Sequence, residues 1–299
     1  MSAEPKPRTG GIDFSRPFFP AELTALYHVP SWRLLDECQQ LRYTQLYALY
    51  LNEQTAFFEE LLATSFLPAL YDRPDRIGED LAEDLRTFEA EERRHSAWFR
   101  EMNYRVDPGK FPRRTTAYHF IPGSEKMRTW GRWFASRPFV FPFWIWLILL
   151  QEERSIFVGR SCLAAEADLE PNFFELHRRH LADEVGHVKW DTQLIERVWM
   201  AMPRWKRKVQ ARLFGHLMAE FFTAPKRSAH AVLEALLEEF SELAALAPQL
   251  RSELSELKNS IPYHASLYSR EVTPKAFALF DSLPEFEKIG KFLPTYQRP

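Results

Sequence analysis

Two stretches of this chain place carboxylate and imidazole groups at the spacing of one helical face. His180, Glu184 and His187 lie four and three positions apart, so on a helix they would point to the same side. Glu92 and His95 repeat the Glu-x-x-His spacing earlier in the chain. Glutamate and neutral histidine suit iron, manganese or zinc. Two Glu-x-x-His helices, each accompanied by a helix with a further Glu, match a dinuclear metal site in a four-helix bundle.

An acidic residue directly precedes the Glu of each motif. These residues are Glu91 and Asp183. A histidine that binds a metal usually donates its other N–H group to a nearby acceptor. We therefore predict that Asp183 reaches across to His95 and that Glu91 does the same for His187.

The composition favours a helical protein with a large core. Of the 299 residues, 45% are hydrophobic and only 10 are glycine. The net charge of −2 gives no general attraction for nucleic acid or membrane. Two cysteines, Cys38 and Cys162, are too few for a disulfide scaffold and suit a reducing cytosol.

The sequence shows neither the pattern of a secretory signal nor an apolar run long enough to span a membrane. The first twenty residues lack the basic-then-apolar pattern of a secretory signal. The longest apolar run, 139–150, contains Pro142 and is shorter than the roughly 20 residues that span a bilayer. We expect a cytoplasmic protein that binds neither nucleic acid nor membrane.

Apolar periodicity and proline positions divide the chain into elements that could carry the metal site. Four long helices are predicted, at 39–71, 80–102, 144–167 and 171–202. The proline-rich connection 103–142, with a short helix near 127–136, is the single long crossover of a ferritin-like bundle. The predicted fold is therefore all-α, a ferritin-like four-helix bundle with additional C-terminal helices. Its parts are an arm with short helices (1–38), the di-iron bundle (39–203) and accessory helices on the same domain (204–299).

The first and third bundle helices each offer more than one candidate glutamate. The first carries Glu53, Glu59 and Glu60 in a largely apolar helix. The third carries Glu152 and Glu153, which helical phase scarcely distinguishes. Buried carboxylates need a partner or a metal, so at least one glutamate of each helix is a candidate ligand.

The chain resembles the AurF-type family of di-iron p-aminobenzoate N-oxygenases and their arylamine-oxygenase relatives. The resemblance covers roughly residues 40–200 and rests on Glu92-x-x-His95 and His180-x-x-x-Glu184-x-x-His187. It implies that His180 is an extra, seventh ligand, four residues before the last Glu.

The resemblance also implies the remaining ligands. By its separation from the later motif, Glu153 fits the third-helix position best and Glu152 nearly as well. Glu59 is narrowly preferred to Glu60 in the first helix. The expected metal ligands are then Glu59, Glu92, His95, Glu153, His180, Glu184 and His187.

The function implied by the resemblance is oxygen insertion at an amine nitrogen. The expected cofactor is two Fe ions per chain, with Mn as an alternative, and O₂ is the co-substrate. A small arylamine or amino compound would be oxidised to a hydroxylamine, nitroso or nitro product in a biosynthetic pathway. Electrons would come from an external donor, since no Gly-rich flavin or nicotinamide loop is evident. A homodimer is compatible with the family and with the apolar first helix.

Two other functions are consistent with the same ligand types. A di-iron hydroxylase, desaturase or C–C-cleaving oxygenase would use a nearly identical site on a carbon skeleton. A non-catalytic ferritin-like metal-binding protein would keep the bundle without the oxygenation.

Overall fold

The computed structural model describes residues 11–113, 118–223 and 227–298, which contain helices and loops and no β-strand. The predicted all-α class is confirmed. In chain order the α-helices are α1 (Glu37–Leu61), α2 (Leu67–Tyr71), α3 (Pro74–Ile77), α4 (Glu79–Val106), α5 (Ser124–Ala135), α6 (Phe143–Ala164), α7 (Pro171–Leu194), α8 (Arg204–Leu217), α9 (Arg227–Glu239), α10 (Ala247–Glu256), α11 (Ile261–Leu267) and α12 (Pro274–Ser282).

Helix α1 begins at a reciprocal cap and ends at a distortion. The side chain of Asp36 accepts the backbone N–H of Gln39, whose own side chain accepts the N–H of Asp36. The single helix predicted for 39–71 is interrupted by a π-helical turn, Leu62–Phe66. This turn directly precedes α2, where Pro68 lacks an N–H and crowds the preceding turn.

The bundle consists of helices α1, α4, α6 and α7, and adjacent helices pack more closely on some sides than on others. The pairs α1–α4, α6–α7 and α4–α7 pack closely along their lengths, whereas α1 and α6 pack more loosely. Gly159 allows the close approach of α6 to α7, because a Cβ there would lie 3.0 Å from the Cβ of Leu181. The side of the bundle between α1 and α6 is thus its most loosely packed one.

The remaining helices cover the bundle from outside. Helix α8 and helix α12 pack on α6, and α9 packs on α1. The N-terminal arm closes one end, where Phe18 stacks on Phe173 with the ring centroids 4.2 Å apart. The division into residues 1–38, 39–203 and 204–299 stays a prediction. The part of the chain that the structure describes has no helix with both the length and the apolarity to cross a membrane.

A carboxylate of α1 binds the backbone of the long crossover between α4 and α6. Both oxygens of Glu53 accept backbone N–H groups of the crossover, from His119 and Phe120, each at 2.7 Å. Helix α5 lies in this crossover and packs against α1 and the π-helical turn. Glu53 therefore has a structural role and does not reach the other carboxylates of the bundle.

Glu53 should make stability depend on pH. Burial raises its pKa to about 7, against the opposing effect of its backbone hydrogen bonds, so the folded protein binds an extra proton between about pH 4.5 and 7. The contribution of Glu53 to the free energy of unfolding therefore falls as the pH rises through that range. Between pH 5 and 8, we expect the free energy of unfolding of the wild type to fall by up to about 3 kcal/mol relative to that of the Glu53→Gln variant.

Urea unfolding at several pH values measures this difference. Glu238→Gln, which changes an exposed carboxylate on α9, should leave the pH dependence as in the wild type. A constant difference between wild type and Glu53→Gln across the range would contradict the assignment.

Candidate metal centre

Six of the seven expected ligands meet in the interior of the bundle. Glu59 comes from α1, Glu92 and His95 from α4, and His180, Glu184 and His187 from α7. All six side chains are buried, and the most exposed of them keeps only 5% of its surface. Three helices assemble these six residues, because each helix contributes one stripe that faces the bundle axis.

One set of donor atoms gathers around His180. Glu59, His95, His180 and Glu184 each offer a nitrogen or oxygen atom, and these atoms lie within 4.8 Å of one another. His180 Nε2 is 3.0 Å from Glu59 Oε1 and 2.7 Å from Glu184 Oε1. His95 Nδ1 is 3.5 Å from the same Glu184 oxygen. These atoms could hold one cation.

A second set lies beside the first and shares the carboxylate of Glu184 with it. Glu92, Glu184 and His187 again offer atoms within 4.8 Å. Glu92 Oε1 lies 3.5 Å from Nδ1 of His95 and 3.5 Å from Nδ1 of His187. Glu184 Oε1 lies 3.5 and 3.7 Å from the same two nitrogens. Glu92 and Glu184 thus lie between the two imidazoles, where their oxygens could help to hold bound cations.

Several of these buried atoms have no hydrogen-bond partner in the protein. Within the described ranges, both oxygens of Glu92, Oε2 of Glu59 and Nδ1 of His95 are buried and unsatisfied. Buried polar atoms are normally paired, and leaving them unpaired costs about 1–3 kcal/mol each or more when charged. The donor set therefore fits bound cations, which would satisfy these atoms together.

The pKa shifts within the cluster also indicate that its donor atoms suit bound cations. Burial, reinforced by neighbouring carboxylates, raises the pKa of Glu59 and of Glu184 well above the usual range. Burial lowers the pKa of His180 well below the usual range. For His187 burial acts downward, but hydrogen bonds to Glu152 and Glu91 raise its pKa to about 10. Without cations the cluster must hold protons to offset its charge.

The outer nitrogens of the two motif histidines are held as predicted, each by an acid on the other helix. His95 Nε2 is 2.9 Å from Asp183 Oδ2, and His187 Nε2 is 3.1 Å from Glu91 Oε2. Arg94 also donates to Asp183, at 2.7 Å. These contacts leave Nδ1 of each ring facing the carboxylates inside the cluster.

A tryptophan follows each motif histidine, a feature that the sequence analysis missed. Both helices read acid-Glu-x-x-His-x-x-Trp, ending at Trp98 in α4 and at Trp190 in α7. Each indole packs on its own histidine, with centroid distances of 5.4 Å to His95 and 5.6 Å to His187. A search for residues repeated at the same offset in both motifs would have found the pair.

The structure separates the two candidate glutamates of the third helix. Glu152 Oε2 lies 3.1 Å from His187 Nδ1, inside the cluster. The two oxygens of Glu153 instead accept the backbone N–H groups of Lys275 and Ala276, at 2.6 and 2.8 Å. The expected ligand Glu153 is thus not brought to the cluster, because the N-terminus of α12 binds its carboxylate.

The first helix contributes Glu59 and not its neighbour. Glu60 forms ion pairs with Arg100 and Arg128 on the side of α1 that faces α5 and α4. Its hydrogen bond with Tyr118 completes this surface network. Adjacent positions on a helix point about 100° apart, so only one of the two glutamates can face the bundle axis.

A further buried acid adjoins the cluster. Asp191 lies one turn beyond His187 on α7, is fully buried, and neither of its oxygens has a hydrogen-bond partner among the described residues. Burial, and then the charge of Glu152, raises its pKa well above the usual range. Burial therefore favours the neutral form of Asp191. Its four-residue spacing from His187 is the sequence signal that could have drawn attention to it.

The bundle buries carboxylates and imidazoles from four helices in two groups of donor atoms that could hold metal ions. The family model of p-aminobenzoate N-oxygenase AurF matches residues 7–258, and the chain belongs to this family. Membership in it makes the protein an oxygenase that acts on a small molecule. No match was found among the curated proteins.

The adjacent pair Glu152 and Glu153 allows a matched test. Glu152→Ala should lose most bound metal, whereas Glu153→Ala should keep the metal and lose about 1–2 kcal/mol of stability because α12 loses its cap. Metal analysis and urea unfolding of both variants separate the two roles. Loss of metal from Glu153→Ala alone would reverse the assignment.

The acids behind the motif histidines should tune metal affinity. Asp183→Ala and Glu91→Ala each remove the acceptor that orients one imidazole, and each should weaken binding about 10- to 100-fold. Competition with a chelator measures the affinity for Fe²⁺. Glu175→Ala, which disturbs only a partly exposed ion pair on α7, serves as the control. Unchanged affinity in both test variants would exclude this role.

Proposed function

We propose that this protein is a non-haem di-iron monooxygenase that oxidises an amine nitrogen to a hydroxylamine, nitroso or nitro group. The observation that carries the proposal is the pair of buried donor sets that share Glu184, within a chain of the AurF family. Bound iron would supply the binding and activation of O₂. The substrate would be a small arylamine or amino compound of a biosynthetic pathway.

The ligand set that best supports the proposal contains seven residues. Glu59, His95 and His180 would hold one iron, His187 and Glu152 would hold the other, and Glu92 and Glu184 would complete the set. The assignment of His180 as the seventh ligand is supported by its distances, since its Nε2 is 2.7 Å from Glu184 Oε1 and 3.0 Å from Glu59 Oε1. Manganese is compatible with the same oxygen and nitrogen donors.

The protein itself would orient the ligands and keep water out of the centre. Phe88 packs on His187 with centroids 4.1 Å apart, and Phe99 packs on His180 at 4.9 Å. Both phenylalanines are buried. Apolar rings around a polar cluster lower the local dielectric constant and strengthen its electrostatic interactions. They would also limit the loss of oxidising equivalents to solvent.

Reducing equivalents would have to reach the centre from an external donor. The side of the bundle between α4 and α7 offers a path for them, since the outer histidine nitrogens there contact the half-buried acids Asp183 and Glu91. Trp98 and Trp190 lie on the same side and are also half-buried. A separate reductase is therefore part of the proposal.

Metal analysis tests the centre directly. The purified protein should contain about two iron ions per chain, and His95→Ala and Glu184→Ala should lose most of them, because each variant removes an atom central to the donor sets. His177→Ala is the matched control. His177 is buried on α7 next to the cluster, yet it belongs to neither donor set and packs against Phe19 and Phe99. Full iron retention in both test variants would refute the site.

The reaction class is tested with the reduced, iron-loaded protein and O₂. An arylamine should be converted to its N-oxygenated product, while a fatty acyl chain should remain unchanged. Product analysis by mass spectrometry distinguishes the outcomes. Oxidation of the acyl chain and not of the amine would instead support a hydroxylase or desaturase.

A further inference from the structure

Large apolar side chains are exposed mainly in two segments outside the bundle. Among the described residues, fourteen large hydrophobic side chains are exposed, and nine of them lie in the segments 127–140 and 200–221. Exposed apolar residues that are scattered singly need no explanation, whereas a concentrated group marks a site of interaction. The two segments contain helices α5 and α8.

Helix α8 presents an apolar stripe beside a basic one. Trp205, Val209 and Leu213 recur every four residues on its exposed side, and 69% of the surface of Trp205 is accessible. The positions directly before these three carry cations that are exposed and form no ion pair with the described residues. These cations are Arg204, Lys208 and Arg212.

Helix α5 repeats this combination of groups. Met127, Trp130 and Trp133 share its exposed side, and 65% of the surface of Trp130 is accessible. Lys126 is exposed and forms no ion pair with the part of the chain that the structure describes. The guanidinium carbon of Arg137 lies over the ring of Trp133, 4.5 Å from its centroid. Both helices therefore present apolar and cationic groups side by side.

The loop between α5 and α6 joins the two helices into one surface. Lys206 and Gln210 of α8 donate side-chain hydrogen bonds to two carbonyl groups of this loop, at 3.3 and 3.0 Å. Phe141 of the same loop packs on Trp133, with the ring centroids 5.6 Å apart. We call the exposed side chains of residues 126–140 and 204–213 the basic aromatic surface.

The inner sides of both helices are already occupied. Arg128 and Arg132 of α5 form ion pairs with Glu60 of α1, at 3.4 and 3.5 Å. Helix α8 packs on α6 and buries Phe214 completely. Because these contacts fix how each helix is rotated about its axis, the outward tryptophans cannot turn into the core. The basic aromatic surface therefore stays exposed in the folded chain.

Positive charge is concentrated in the same two segments. Residues 123–140 and 200–222 contain nine Lys or Arg and only two Asp or Glu, whereas the whole chain contains 39 and 41. The nearly neutral total, from which we expected no attraction to membranes, conceals this basic region. A second copy of the chain docked face to face here would bring like charges together. The surface therefore fits a negatively charged partner.

Anionic lipid matches this surface better than an acidic protein does. Tryptophan rings favour the headgroup level of a bilayer, and lysine and arginine near a membrane surface attract anionic lipids. Lysine is depleted in interfaces between proteins, whereas Lys126 and Lys208 lie directly among the exposed apolar side chains. A bilayer also offers hydrocarbon and negative charge together over a broad area.

We propose that the basic aromatic surface docks this protein on a bilayer that contains anionic lipid. Trp130 and Trp205 insert among the headgroups, and the neighbouring cations contact the lipid phosphates. Docking of this kind takes place in the interface and needs no membrane-spanning segment. The inference goes beyond the proposed function and does not depend on it.

Vesicle sedimentation with the full chain tests the docking. Vesicles of phosphatidylcholine and phosphatidylglycerol, in a ratio of about 7:3, should bind the protein at least about tenfold more tightly than vesicles of phosphatidylcholine alone. Raising the salt concentration from about 0.1 to 0.5 M should weaken this binding, because exposed charges are screened.

A triple variant measures the contribution of the cations. Arg204→Gln, Lys208→Gln and Arg212→Gln combined should weaken binding to the anionic vesicles about 100-fold. The matched control combines three changes that remove the same charge from exposed positions outside the surface, and its affinity should stay within about threefold of the wild type. These changes are Arg33→Gln, Lys110→Gln and Lys258→Gln.

A double variant measures the contribution of the rings. Trp130→Ser with Trp205→Ser should weaken binding to the anionic vesicles about tenfold or more, because less apolar surface leaves water. Leu34→Ser is the control, since 64% of Leu34 is exposed and it lies outside the basic aromatic surface. Circular dichroism should be the same for all variants, because the changed side chains lie outside the core.

Three results would overturn the inference. The first is that the wild type does not bind the anionic vesicles, or that the triple variant binds them as tightly as the wild type does. The second is binding that needs the cations but not the tryptophans, which is the behaviour expected of a surface for an acidic protein. The third is a wild type that binds no vesicles but dimerises in sedimentation velocity, with the dimer lost in the double variant, since a second copy would then cover the surface.

Discussion

The burial of several carboxylates at one point is the constraint on which the rest of this structure depends. Glu59, Glu92, Glu152 and Glu184 lie together inside the bundle with almost no exposure. Like charges at this separation, removed from water, repel strongly. Either protons or cations must offset them, and the unsatisfied oxygens and imidazole nitrogens are placed for cations. The apolar rings and covering helices are useful only because they keep this cluster dry.

The α4–α7 side and the α1–α6 side of the bundle are packed differently around these carboxylates. Between α4 and α7, the helices are close and the acids Asp183 and Glu91 cross over to fix the opposite histidines. The repeated acid-Glu-x-x-His-x-x-Trp pattern makes this side nearly symmetric. Between α1 and α6 the packing is looser.

Helices outside the bundle also decide which bundle residues are available for chemistry. The N-terminus of α12 presents backbone N–H groups, and a carboxylate is a favourable partner for them. Glu153 fills that position, so the covering helix is anchored to the bundle by a residue adjacent to the metal centre. The crossover is attached in the same way, through Glu53. Glu53 and Glu153 thus serve the assembly of the fold, whereas Glu59, Glu92, Glu152 and Glu184 form the cluster.

The sequence by itself determined the helical class, the four long helices and the residues of the two motifs, because a three- or four-residue spacing fixes which side chains share a face. It also determined the crossed pairing of Asp183 with His95, since each acid adjoins a motif Glu. It could not choose between Glu152 and Glu153, because adjacent positions differ only by the roll of α6 about its axis. That roll was set by tertiary contacts, above all the backbone N–H groups of α12, which come from 120 residues further along the chain.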